Sequence, residues 1–288
     1  MFGLIYVATI IIGGTFFARI NLRHGRGDRR SAMRLAFFTI GLFLLKIILS
    51  VPHVSNIDLL LLPYLAVLFW ILYIAIEPYV RRRWPQVLVS WTRLLSGGFR
   101  DPLVAREIFI GCAFGVSLAC IIGLIGVLSP EWSFYALRQT LDLTAILGPR
   151  TYVIQLADIV TTVLVLNFGL LSLLFFIRTL LRNQTAALIV TAIIIVFASG
   201  GSLDIWILLR LLIGATIYLI VLMRFGFVAQ LFSYFSFTML KGITTLDAST
   251  WYSDAGFFSL AIFAVIVLYT FHTSLGGRPL FGTPRLDE

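Results

Sequence analysis

Of the chain's 288 residues 60% are hydrophobic and only 12% are charged, and its mean hydropathy is +1.01. A water-soluble domain of that composition would expose too much apolar surface to stay in solution, so the chain reads as a polytopic membrane protein with no separate soluble domain. The net charge of +9 would suggest nucleic acid for a soluble protein; here it reads as a topology signal, and no nucleic-acid partner is expected.

A crossing needs roughly 20 apolar residues. In chain order, apolar runs bounded by charge, proline or glycine fall at 2–19, 33–51, 59–78, 107–128, 153–177, 185–199, 205–223, 225–240 and 255–272. The spacing therefore predicts an all-α bundle of eight or nine transmembrane helices in a single domain, 1–288. The first run has no basic residue before it and Arg19 and Arg23 after it, which predicts a retained helix with its N-terminus outside rather than a cleaved signal peptide.

Threading the runs from an outside N-terminus puts Arg19, Arg23, Arg26, Arg29, Arg30, Arg34, Arg81, Arg82, Arg83, Arg93, Arg100, Arg106, Arg178, Arg182, Arg224, Arg278 and Arg285 on the cytoplasmic side, 17 of the 22 basic residues. Arg138, Arg150 and Lys241 fall outside, and Lys46 and Arg210 lie within apolar runs. This is the bias that positive-inside sorting produces, and it predicts a cytoplasmic C-terminus. The short run 225–240 is joined to its predecessor by one arginine; as a re-entrant or interfacial segment it would instead leave the C-terminus outside.

Two connections are long. The external one, 129–152, carries Trp132, Phe134 and Tyr135, which suit the headgroup level. The cytoplasmic one, 79–106, contains "RRRWPQVLVSWTRLLSGGFRDP". From Pro85 the apolar residues Val87, Leu88, Trp91, Leu94 and Leu95 recur at helical spacing, opposite Gln86, Ser90 and Arg93. That pattern predicts an interfacial amphipathic helix, begun by Pro85 and ended by Gly97 and Gly98. Arg81, Arg82, Arg83, Trp84, Trp91, Arg93 and Arg100 are then the candidate residues for docking on an anionic inner leaflet or a partner. Near such a surface each basic residue is worth about 1 kcal/mol.

The segments "RINLRHGRGDRRSAMRLAFF" at 19–38 and "EPYVRRRWPQVLVSWTRLLSGGFRDPLVARE" at 77–107 resemble the C-terminal membrane domain of bacterial, chiefly acidobacterial, serine/threonine protein kinases. The resemblance covers roughly residues 10–110. It implies an outside N-terminus for the first helix and a cytoplasmic kinase or signalling domain as partner. The glycine-rich loop, phosphate-binding lysine and catalytic and magnesium-binding aspartates of phosphoryl transfer have no counterpart in this sequence. "FRDPLVARE" lacks the histidine before and the asparagine after that a kinase catalytic loop requires, so Asp101 reads as a partner of Arg100 or a turn residue before Pro102. Catalysis by this chain is not expected.

Lys46, Asp158 and Arg210 fall toward the external ends of their runs. They could form a polar cluster lining a path across the bundle, or stand apart, the two cations snorkelling outward. Asp158, Thr162, Val165, Gly169 and Ser172 share one helix face, which suits helix packing or a pathway, while Asn167 on the opposite face suits an interhelical hydrogen bond or a ligand. Gly111, Gly115, Ala119 and Gly123 form a small-residue ridge for close packing within the chain, with a homodimer seam as the alternative.

Cys112 and Cys120, eight residues apart on one helix, are separated by about 12 Å and cannot bridge. His24, His53 and His272 offer no ligand pair, so neither a metal nor a cofactor is expected. Ser199 and Ser202 lie in an external turn without a membrane histidine to activate them. Two functional readings follow: a non-catalytic membrane-anchoring and sensory module, or a transporter of a small solute or ion through the Lys46, Asp158 and Arg210 cluster.

Overall fold

The computed structural model describes residues 2–50, 56–128, 147–198, 205–243, 247–250 and 253–276, with side chains from residue 11 and, in the third helix, from residue 63. The described residues form helices and short turns only: α1 (Phe2–Arg23), α2 (Arg29–Ser50), α3 (Asn56–Arg83), α4 (Pro85–Leu95), α5 (Pro102–Leu128), α6 (Pro149–Leu181), α7 (Gln184–Ala198), α8 (Ile205–Phe225), α9 (Phe227–Lys241) and α10 (Asp254–Ser274). Trp132, Phe134, Tyr135, Arg138, Ser199, Ser202, His53, Arg278 and Arg285 lie outside the described residues.

Among the described residues six helices are long and apolar enough to cross a membrane: α2, α3 from Pro63, α5, α6, α8 and α10. The described residues thus support six crossings rather than the expected eight or nine. The runs at 185–199 and 225–240 form helices of only 15 residues each, about 22 Å long against a hydrocarbon core of about 30 Å. The side chains of residues 2–10, in the first run, lie outside the description. Large apolar side chains such as Phe37, Ile48, Leu124, Val127, Val265 and Leu268 point outward, the surface that a bundle in lipid presents.

The segment 225–240 lies inside the bundle. α9 packs against α4, α5, α6, α8 and α10, and Phe227, Val228, Ala229, Gln230, Leu231, Ser233, Phe235, Ser236 and Met239 are buried. With most of its surface against other helices rather than lipid, the helix need not match the thickness of the bilayer. Its closest neighbour is α5. A methyl group added at Gly115 would lie 2.5 Å from the Ser233 carbonyl and 2.6 Å from Ser236 Cβ, and one added at Gly111 would strike the Ala229 carbonyl. The ridge is thus a seam within the chain at Gly111 and Gly115; Gly123, farther along α5, faces open space, and Ala119 is half-buried.

Contacts across the sequence assign the helix ends to two poles. At one pole Arg34 donates to the Leu95 carbonyl, and Gly226 abuts Gln86, Val87 and Glu107. Tyr269 reaches the Phe99 carbonyl there, and Gly276 approaches Pro102. At the other, Arg150 binds the Leu49 carbonyl and Tyr152 pairs with Ser259 at 3.0 Å. α9 runs from Gly226 at the first pole to Gly242, which lines a small cavity with Tyr152 and Ser259 at the second. The first pole collects the arginine-rich segments 19–34 and 81–106.

Candidate functional site

Two segments separated by about fifty residues in sequence meet at the arginine-rich pole. Asn21, 2% exposed at the end of α1, donates through Nδ2 to the carbonyls of Ile74 at 2.9 Å and Ala75 at 3.0 Å. One amide side chain thus pins the α1–α2 turn to α3. The turn closes through Gly25 at φ 64, a conformation that glycine adopts without strain.

Asp28 then starts α2. Its Oδ1 accepts from the Arg30 and Ser31 amides at 3.1 Å each, and its Oδ2 accepts from the Ser31 hydroxyl at 2.6 Å, which satisfies amides that a helix start leaves free. Burial pushes the Asp28 carboxyl up, but the Ser31 hydroxyl, the Ser31 and Arg30 amides and the Arg81 charge together hold it below the usual carboxylate range.

Facing this turn, α3 brings the buried Glu77 one turn before Arg81, and the two form an ion pair with Arg81 Nε 2.8 Å from Glu77 Oε1. Between the two segments lies a cavity of about 390 Å³ lined by Arg26, Gly27, Asp28, Glu77, Pro78, Arg81 and Arg82. The Arg26 and Arg82 side chains are exposed and have no ion-pair partner among the described residues.

α3 ends at Arg83 because Pro85 has no N–H and its ring would clash with the carbonyl four residues earlier; the same proline suits the first turn of α4. α4 has the boundaries that its sequence predicts, and Gly97 at φ 94 turns the chain at its end. Its apolar face, however, is covered by protein. Val87, Leu88 and Trp91 are buried, and Trp84 is only 5% exposed. The Trp91 ring packs edge-on against Phe168 at 5.7 Å and Phe227 at 5.2 Å. The structure therefore corrects the expectation of two lipid-docking tryptophans: helical periodicity marks a face to be covered, and here α2, α3, α5, α8 and α9 cover it. Arg81, Arg82, Arg83, Arg93 and Arg100 remain at the surface.

The rest of the platform is tied by polar contacts that sequence reasoning missed. Glu107, 7% exposed at the start of α5, accepts from the Ser90 hydroxyl at 2.5 Å, and its Oε2 has no hydrogen-bond partner among the described residues. It lies beside Gly226, the cap of α9, at a helix start whose dipole favours negative charge. Asp101 pairs with Arg93 at 2.7 Å, not with Arg100, and accepts from the Leu103 amide at 2.8 Å. Burial pushes the Asp101 carboxyl up, and the Arg93 and Leu103 hydrogen bonds bring it below its usual range. Glu77 with Arg81 at i, i+4, and Asp28 before a helix start, are legible signals in retrospect. Glu107, at the edge of an apolar run, carries no sequence mark of its depth.

At the opposite pole Lys46 and Asp158 form an ion pair at 2.7 Å. Arg210 is not brought into it: its Nε turns back to the Trp206 carbonyl of its own helix at 3.2 Å. On α6, Gly169 and Ser172 are buried while Thr162 is exposed, and Asn167 donates to the Val163 carbonyl within the helix rather than across to a neighbour. Cys112 and Cys120 are free thiols, and no group of metal-ligating side chains occurs among the described residues. In comparison with known proteins the chain matches no family model, no curated protein and no solved structure.

Proposed function

We propose that the chain is a non-catalytic multi-pass module of a bacterial cytoplasmic membrane, with an outside N-terminus and a cytoplasmic C-terminus. Its arginine-rich pole serves as a folded basic platform against anionic lipid and toward a cytoplasmic signalling partner, the role that the resemblance to kinase membrane domains implies. The observation that carries this reading is the joining of 19–38 to 74–107 by Asn21, Arg34 and the arginine-lined cavity. A loose basic loop would serve for topology alone. Here two such segments are held in one geometry, and five surface arginines are carried by helices α3 and α4 or the turn after them.

Thiol labelling tests the orientation. With Cys112 and Cys120 replaced by alanine, Ser96→Cys reacts with a membrane-impermeant maleimide only in inside-out vesicles, and Leu147→Cys only from the outside. The reverse pattern removes the cytoplasmic platform. A transport reading has one structural support, the Lys46–Asp158 pair. Unchanged ion or solute flux after reconstitution of Asp158→Asn would leave it without a basis.

A further inference from the structure

We propose that the cavity between the α1–α2 turn and the end of α3 binds a phosphate group, either the headgroup phosphate of an anionic lipid or a soluble phosphate. Three guanidinium groups and two carboxylates line it, and hydrogen bonding together with ion pairing decides which of these charges remain free. Both Asp28 oxygens are used by the first turn of α2, and Glu77 Oε1 takes the Nε of Arg81. The acids are thus committed to the protein's own structure. Glu77 and Asp28 thus both draw on the charge of Arg81, while Arg26 and Arg82 have no ion pair among the described residues.

Planar guanidinium forks on more than one wall suit phosphate oxygens, which accept paired N–H bonds. The volume of about 390 Å³ falls in the range of sites for small ligands. Position favours the lipid source. The apolar spans of α2 and α3 end at Arg29 and Arg83 beside the cavity, at the depth where headgroups lie. Phosphate binding depends on the proposed function only through the face of the bilayer that the cavity meets.

The test uses the full chain in phosphatidylcholine nanodiscs in two arms. In the first, discs containing phosphatidylglycerol are opened and the lipids retained per chain are counted by native mass spectrometry. In the second, inorganic phosphate is titrated into phosphatidylcholine discs by calorimetry. Binding in either arm is expected to weaken about tenfold in Arg26→Gln and in Arg82→Gln, the loss of one hydrogen bond to a charged group. Arg182→Gln, exposed after α6 and outside both the cavity and the platform, retains wild-type binding. Both target side chains are exposed, so the variants keep the wild-type melting temperature. Loss confined to the first arm assigns a lipid phosphate, and loss in the second a soluble one. No binding in either arm, or binding equal in wild type, Arg26→Gln and Arg82→Gln, overturns the site. An inverted labelling pattern would sink the proposed orientation while leaving phosphate binding intact, so the two failures are distinguishable.

Discussion

Gly115→Ala probes the burial of α9 within the bundle. The added methyl group would lie 2.5 Å from the Ser233 carbonyl oxygen and 2.6 Å from Ser236 Cβ, distances that no rotamer change relieves because the obstacles are backbone and Cβ atoms. Either α9 moves away from α5 along their shared face or the carbonyl tilts out of its helix. Overpacking typically costs 1–3 kcal/mol, and the rigid α9 backbone and Cβ atoms it meets put this case at about 3 kcal/mol. The lower helix propensity of glycine returns about 1 kcal/mol, leaving a net loss of about 2 kcal/mol, or roughly thirtyfold in the folding equilibrium. Gly123→Ala is the internal control, since nothing lies within 4 Å of its new methyl group and only the propensity gain remains. Reversible unfolding in mixed micelles, followed by tryptophan fluorescence, compares the two. Equal stability of Gly115→Ala and Gly123→Ala would refute the α5–α9 seam, as would a Gly115→Ala loss that appears only at concentrations where the chain dimerises.

Other perturbations address the platform. Asn21→Leu strands the buried Ile74 carbonyl, whose helical donor position is occupied by Pro78 with no N–H, and the expected loss is about 1–3 kcal/mol, read as a lower unfolding midpoint with the bundle otherwise intact. Ser90→Ala removes the donor from Glu107 at a similar cost, and the added substitution Glu107→Gln recovers part of it because a neutral amide tolerates burial better than an unpaired carboxylate. Asp28, with a folded-state carboxyl below its usual range, contributes stability that is present above the unfolded carboxylate value of about 3.9 and is lost as pH falls through the lower folded value. Stability measured from pH 6 downward is therefore less steep in Asp28→Asn than in wild type over that acidic window.

Much of this architecture is legible as apolar length: the runs that become α2, α3, α5, α6, α8 and α10 are each long enough to cross. The boundaries of α4 were also legible, from Pro85 and Gly97, because a missing N–H and a positive φ are local facts. What covers its apolar face is a tertiary fact, and a period of 3.6 residues cannot distinguish lipid from Phe168 and Phe227. For the same reason 225–240 reads as a weak membrane span: its serines and Gln230 lower its hydropathy, yet they are buried among helices rather than exposed to lipid. Lys46 and Asp158 pair as their similar depth suggests, whereas the position of Arg210 in its run says nothing of the direction its side chain takes.

The central claim is that two distant arginine-rich segments of one chain face each other across a single cavity. With Cys112 and Cys120 replaced by alanine, Arg26→Cys and Arg82→Cys are introduced together and treated in the membrane with a short bifunctional maleimide. A cross-link within the monomer, its yield independent of protein density and absent from either single-cysteine chain, is the result that this geometry requires. No cross-link, or one found only between two chains, would contradict it.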